Sequence, residues 1–423
     1  MNNTRGRIAV LMAMSTLETV SSLRDGIKLL AEHGYTVEVY IPGNPVYPKP
    51  QFEDKSISVV TDQPSVFSQG RIALPGWTFG RGQRLYSWFM FKFYGSLWRN
   101  IVFKRQLKKN HLGLPYACFI GIDPEGLLDA ARYAYCLKVP FVYWSLELYF
   151  ADQCMNKQQQ LLKKNEIFYS REAAFSISQD QWRKEALAKE NGLDDDKVLL
   201  VPNAPMGKAL RHKNNFLRKR WSISPEKKII LCAGSLAPWA MSRELVEAAK
   251  QWPEEYLLIM HSRRRPVKWG FQYEKEIMML ADPKKVVISF DPLAADEYHQ
   301  LLGSADVGIA FYSAGSKHAP NGIDMNMKIM GLSSGKISDY LQHGLPIVVN
   351  EVIGPNELVN DYQCGVVVQH ADRIAEALSQ IFHNYADFSE NACKCFDDML
   401  ELSANFKKVI QKIDSLGSGS PST

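Results

Sequence analysis

Short apolar runs alternate with amphipathic stretches along almost the whole chain, and this alternation restricts it to an α/β architecture with parallel strands. Ile8 to Met14 reads as a strand, Leu17 to Glu32 as a helix stopped at Gly34, and Val37 to Ile41 as the next strand, together a β-α-β unit. The spacing predicts further strands at Ile57 to Val60, Ala117 to Ile122, Phe141 to Trp144, Ala174 to Ser178 and Val198 to Val201. Runs of this kind, joined by helical patterns, call for a parallel sheet covered on both faces. The stretch Pro202 to Lys228, rich in Asn, Pro, Lys and Arg, separates this series from a second. That series runs Ile229 to Ala233, Tyr256 to Met260, Val286 to Phe290, Val307 to Phe311, Ile347 to Val349 and Gly365 to Val368. The expected fold is α/β, with two tandem doubly wound domains at 1–205 and 229–395, a linker at 206–228 and a C-terminal helix at 396–416 returning to the first domain. The small, polar tail 417–423 is expected to be disordered.

Composition narrows the class. With 423 residues, 46% hydrophobic and 22% charged, the chain has the make-up of an ordinary globular protein, which excludes disorder as its explanation. No stretch approaches the roughly 20 apolar residues of a membrane span, and Met1 to Arg7 lead into a strand without a signal-peptide core, so a cytoplasmic protein is expected. Seven cysteines without a framework spacing fit a reducing compartment, and we read them as packing residues. There is no His-Glu-x-x-His motif, and the acidic triplet Asp194 to Asp196 lies in a polar turn; no metal or resident cofactor is expected.

One segment points to a ligand. Gly331 to Asn350 reads as a loop, a short helix, a Gly-Leu-Pro stop and a buried strand. Ser333, Ser334 and Gly335 offer backbone amides at the positive end of the helix dipole, and Lys336 adds a full charge in the first turn, an arrangement that suits a diphosphate. Ile337, Tyr340 and Leu341 fall on the core face, which leaves Lys336, Asp339 and His343 on the other, with Asp339 free for a ribose hydroxyl. A plain N-cap and a Lys336–Asp339 surface ion pair are the alternative. A P-loop does not fit, because only three residues separate the glycines and Ile337 follows the lysine. The long loop Ser313 to Leu332 leads into this segment, as functional loops do.

A second region is basic and aromatic at once. From Gln63 to Ile122 there is no acidic residue, while nine Lys and Arg are interleaved with aromatics such as Trp88, Phe91 and Trp98. Arg81 to Lys109 has the ingredients of a helix lying on an anionic membrane surface; the alternative is an amphipathic insertion packed on the first domain. No nucleic-acid motif accompanies it.

Several motifs, in order, resemble the GT-B fold of nucleotide-sugar glycosyltransferases, two Rossmann-like domains facing a cleft, and in detail the family-four-like group. Ser178-Gln-Asp-Gln-Trp-Arg183 with Val198-Leu-Leu-Val-Pro-Asn-Ala-Pro205 resembles the junction that closes the first domain. Cys232-Ala-Gly-Ser-Leu236 resembles the first turn of the donor domain, Leu301-Leu-Gly-Ser-Ala-Asp-Val-Gly-Ile309 a strand entry, and Ser338-Asp-Tyr-Leu-Gln-His-Gly-Leu-Pro346 the site helix. The chain departs from the pattern of two glutamates eight positions apart: Asp339 matches the second and Gly331 stands where the first belongs. The Arg and Lys that often clamp the pyrophosphate have no counterpart near Gly234.

The resemblance implies a retaining, metal-independent transfer of a sugar from a nucleotide-diphosphate sugar to a hydroxyl of a glycan, lipid-linked sugar or protein; the basic, aromatic stretch adds the expectation of a peripheral place on the inner face of the membrane. The resemblance places the donor on Ser235, Arg263, Ser333, Ser334, Gly335, Lys336 and Asp339. Asp123 and Glu147 sit just past strand ends, where open sheets make their sites, and are candidates to orient or deprotonate the acceptor; a helix N-cap is the alternative for Asp123. Ser15, Thr16, His318, Asn321 and Asp324 are candidates for sugar contacts. A nucleotide-sugar epimerase and an inactive nucleotide-sugar-binding module remain the alternatives in function.

Overall fold

The computed structural model describes residues 5–13, 17, 20–42, 49–61, 95–211, 213–262, 272–291, 293–316, 319 and 321–417, with side chains from 101 onward in the segment 95–211 and to 416 in the last. The strands are β1 (Arg7–Met12), β2 (Thr36–Ile41), β3 (Ile57–Thr61), β4 (Tyr116–Ile122), β5 (Phe141–Trp144), β6 (Ser176–Ser178) and β7 (Val198–Leu200), then β8 (Lys228–Ala233), β9 (Tyr256–His261), β10 (Val286–Ser289), β11 (Val307–Ala310), β12 (Ile347–Asn350) and β13 (Gly365–Val368). Each falls within one or two residues of an expected apolar run. Among the described residues they form two sheets, ordered β3-β2-β1-β4-β5-β6-β7 and β10-β9-β8-β11-β12-β13. Every pairing is parallel.

In both sheets the order reverses beside the first strand, between β1 and β4 and between β8 and β11. At such a reversal the connecting helices leave to opposite faces, and a crevice opens at the carboxyl ends of the strands. Each sheet is covered on both faces by a buried apolar cluster, as continuous apolar strands require.

Two segments outside the sheets tie the halves together. The stretch expected as a linker packs against the second domain: Ala204 and Leu217 are buried in its core, Leu217 from a short helix at Phe216–Arg220, and the Leu210 amide donates to the Gln342 carbonyl at 2.5 Å. The last helix, Leu402–Gly417, carries Leu402, Phe406, Val409 and Ile413 on one stripe, and that stripe is buried in the core of the first domain beside β1, β4 and β5. Phe406 fills the space between Gly26 and Trp144; its ring centroid lies 5.6 Å from that of Trp144, and a Cβ on Gly26 would come within 3.1 Å of it. The seven cysteines are free thiols, and Cys136 is exposed and Cys154 half-buried, so the packing role holds for the other five alone.

Phe406 joins the chain's end to its beginning, so Phe406→Ala should destabilise the protein by about 3–5 kcal/mol through loss of buried surface and the cavity left behind. Guanidinium denaturation measures it. A loss under about 1 kcal/mol would show that the last helix does not support the first domain.

Candidate functional site

The helix Gly335–Gln342 is placed by one buried side chain. Tyr340 is fully buried, its ring lies against Gly308 of β11, and its hydroxyl accepts from the Ala233 amide at the end of β8 at 2.7 Å. A Cβ on Gly308 would stand 2.3 Å from that ring, so only glycine lets the helix come this close. Tyr340 thereby fixes the helix start over the reversal between β8 and β11. Ser334 caps the helix, its hydroxyl accepting from the Ile337 amide and bonded to the hydroxyl of Tyr312. The amides of Gly335 and Lys336, at the first two helical positions, have no intrahelical acceptor.

Lys336 points into the crevice itself. Its Nζ lies 4.9 Å from the centre of the Tyr312 ring, and a Cβ on Gly234, the residue that follows β8, would be 3.5 Å from it. Among the described residues this buried ammonium has no hydrogen-bond partner. A cation held out of water without a partner is costly, and an anion arriving beside it removes that cost. With two first-turn amides that lack an intrahelical acceptor and the helix dipole converging on the same place, the crevice has the chemistry that attracts an anion.

The other face of the helix departs from expectation. Asp339 and His343 are buried, at 9% and 4% exposure, beneath the helix Ala295–Gly303. Asp339 Oδ2 accepts from the Tyr298 hydroxyl at 3.1 Å, so its carboxylate is engaged on that side and does not stand free for a ribose. His343 donates from Nδ1 to the Asp339 carbonyl at 2.8 Å, and burial holds its pKa down to about 4. The helix is thus buried nearly all round, because a neighbouring helix, invisible to local periodicity, covers the face that the pattern left polar.

A cleft of ≈ 1190 Å³ runs from this corner to the first domain. Ser333 to Lys336 form one wall, Tyr312 and Trp239 another, and Asp324, Asn326 and Glu147 the far side. The rings of Trp239 and Tyr312 are parallel within 4° at a centroid separation of 6.4 Å. No motif singled out either aromatic; Trp239 does follow the quoted Cys232 to Leu236 turn, and an exposed tryptophan so near a strand end was the available signal. Ser235 is half-buried at the Gly234 turn, outside the cleft lining. Asn321 is exposed in a turn, and Asp324 lines the cleft while capping the short helix Met325–Lys328 through the Met327 amide. Ser15, Thr16, Arg263 and His318 lie outside the described residues.

Of the two acceptor-side carboxylates, only Glu147 lines the cleft. Asp123 is buried behind it at the end of β4, and caps no helix: its Oδ1 accepts the amides of Leu146 and Glu147 at 2.9 and 3.0 Å and so shapes the loop that carries Glu147. Burial first, and the Glu147 charge second, push its pKa up to about 7. A carboxyl that stays protonated in the fold while the unfolded chain ionises near 3.8 stabilises the fold at low pH and loses that contribution as pH rises towards 7. The stability difference between wild type and Asp123→Asn should therefore shrink or reverse from pH 4 to pH 7 and level off above, as denaturant melts across that range would show. A difference independent of pH would place the Asp123 titration outside this window.

Comparison with known proteins agrees with this architecture. Residues 298–413 match the family described as glucosyltransferase 3-like, C-terminal domain. A chitobiosyldiphosphodolichol beta-mannosyltransferase of Candida albicans is 23% identical over 237 residues, which are 53% of this chain and 49% of that protein; the chain thus spans about half the length of that relative. A sucrose-phosphate synthase from Thermosynechococcus elongatus superposes with a TM-score of 0.68 at 16% identity, over 98% of this chain and 100% of that one. HepE of Anabaena, in complex with UDP and glucose, superposes with a TM-score of 0.65 at 14% identity, over 97% and 100%. The chain has the two-domain GT-B fold of these structures, and the stretch that matches the glucosyltransferase 3-like domain runs from the second domain into the last helix.

Proposed function

We propose that this protein is a glycosyltransferase that moves a sugar from a nucleotide-diphosphate sugar onto a hydroxyl of a glycan or a lipid-linked saccharide. The observation that carries this reading is the buried ammonium of Lys336, without a partner among the described residues, set beside the first-turn amides of the helix at 335–342 and facing Gly234. As the glycosidic bond breaks, negative charge grows on the leaving diphosphate. A preorganised cation and N–H donors aimed there stabilise the transition state more than the ground state. The reaction so proposed draws its charge stabilisation from these groups, without a metal. Support for a nucleotide-sugar donor comes from HepE, solved with UDP-glucose, and support for a lipid-linked acceptor from the dolichol-linked substrate named for the mannosyltransferase relatives.

Glu147, across the cleft, accepts the acceptor hydroxyl. In a retaining course the departing phosphate takes the proton and Glu147 orients the nucleophile; in an inverting course Glu147 is the base. The anomeric configuration of the product against that of the donor decides between them.

A panel of nucleotide-diphosphate sugars tests the activity: slow release of free sugar and nucleoside diphosphate from one donor supports the transferase, a C2-epimerised product supports an epimerase, and binding without turnover supports a sensor. Lys336→Ala should weaken nucleoside diphosphate binding by about tenfold to a hundredfold, the worth of one charge-assisted contact, and leave nucleoside binding unchanged. Calorimetry measures both, and equal losses would misplace the phosphate.

A membrane-bound acceptor also accounts for the basic region. In the helix Gly95–Gly113, Phe103 and Leu107 are buried against the first domain, while Lys104, Arg105, Lys108 and Lys109 share the exposed face with Leu112. We place this face on an anionic lipid surface at the inner side of the membrane; no described helix is long and apolar enough to cross one. Changing the four basic residues to Gln should cut partitioning onto anionic vesicles at least tenfold, since each contributes about 1 kcal/mol. Unaltered sedimentation would remove the membrane from the proposal.

A further inference from the structure

The loop that carries Glu147 is held from both domains. On its own side, Asp123 accepts the amides of Leu146 and Glu147, and Ser145 Oγ donates to the Glu147 carbonyl at 3.0 Å. From the second domain comes Asn326, in the short helix Met325–Lys328. Its Nδ2 donates to Glu147 Oε2 at 2.5 Å, and its Oδ1 accepts from the Leu148 amide and from Nη2 of Arg183, both at 2.9 Å. The amide has one orientation here: only its nitrogen can serve a carboxylate, and only its oxygen can serve two N–H donors.

We propose that Asn326 is a positioning residue for Glu147, reaching over from the second domain to occupy one carboxylate oxygen and leave the other for the acceptor hydroxyl, so that Glu147 is set for its role only while the two domains are closed on each other. The proposal rests on the transferase reading above and deepens it. The Asn326 N–H occupies one carboxylate oxygen and so sets the plane in which the other faces a hydroxyl. It also removes the freedom of an exposed side chain to turn away from the substrate. Opening the cleft carries Asn326 off with the second domain and releases both constraints. The charged and titratable groups around Glu147 are Asp123, Arg183 and Tyr149 from its own domain, and Asp324 on the same cleft. Asn326 supplies an uncharged donor among them.

Asn326→Asp tests the role, because it keeps the shape and the acceptor for Leu148 and Arg183 but sets a second carboxylate against Glu147. We expect kcat at pH 7 to fall about tenfold and the acid limb of its pH profile to move up by about one unit, as a like charge disfavours ionisation. The KM for donor and the affinity for nucleoside diphosphate should stay within about twofold. An unmoved acid limb, or an equal loss of nucleotide affinity, overturns the proposal. A second measurement is independent of turnover: in a double-mutant cycle of Glu147→Ala and Asn326→Ala read by thermal midpoint, additive shifts overturn the pairing. Coupled shifts in a wild type that turns over no donor uphold the pairing and count against the transferase reading alone.

Discussion

The arrangement of the cleft depends on one buried guanidinium. Arg183 belongs to the first domain and is 1% exposed, yet it ends among groups of both: Nε donates to Gln179 Oε1 at 2.6 Å, Nη2 to the Leu146 carbonyl and to Asn326 Oδ1, both at 2.9 Å, and Nη1 to the Ile329 carbonyl at 2.8 Å. A charge taken out of water costs least when its donors are satisfied. Satisfying this one requires the loop after β5, with Glu147, and residues 326–329 of the second domain to be in place together. The distance between Glu147 and the start of the helix at 335–342 is set by that requirement.

The same junction explains why the first of the two expected glutamates is absent. Gly331 has φ +55°, in the left-handed region, and a Cβ there would lie 2.0 Å from the Asp180 carboxylate. Asp180 comes from the first domain, caps its own helix through the Arg183 amide at 2.9 Å and accepts from the Leu332 amide at 2.6 Å. A side chain at 331 would push this latch apart. Asn203 closes the junction from the other side: its amide donates to the Leu332 carbonyl, and its side chain to that of Ser333 at 2.9 Å. The loop entering the helix at 335–342 is therefore held by both domains, and a carboxylate that holds it is supplied from across the interface.

Much of the fold was legible because strand-helix alternation is local. Residues such as Ile229 to Ala233 or Ile347 to Val349 declare a buried parallel strand by composition alone, and Lys336 declared itself by standing in a helix's first turn after Ser-Ser-Gly. Asp339 misled because helical periodicity shows which face is apolar but not what covers the other; Tyr298, 41 positions away, does so. Trp239 offered only its place near a strand end and Arg183 only its place at the end of a motif, while Asn326 carried no signal of its own; the importance of the latter two lies in contacts across more than a hundred residues, that of Trp239 in a shared cleft.

Sequence by itself determined the two α/β domains, their parallel strands, and the helix start with its lysine, because each follows from spacing and backbone chemistry within a few residues. Only the tertiary structure decided that Lys336 has no partner among the described residues at the β8 and β11 reversal, that Asp123 stands behind Glu147, and that Asn326 meets Glu147 from the opposite domain. Burial and hydrogen-bond satisfaction are properties of the packed chain, and no local pattern encodes which distant group will supply them.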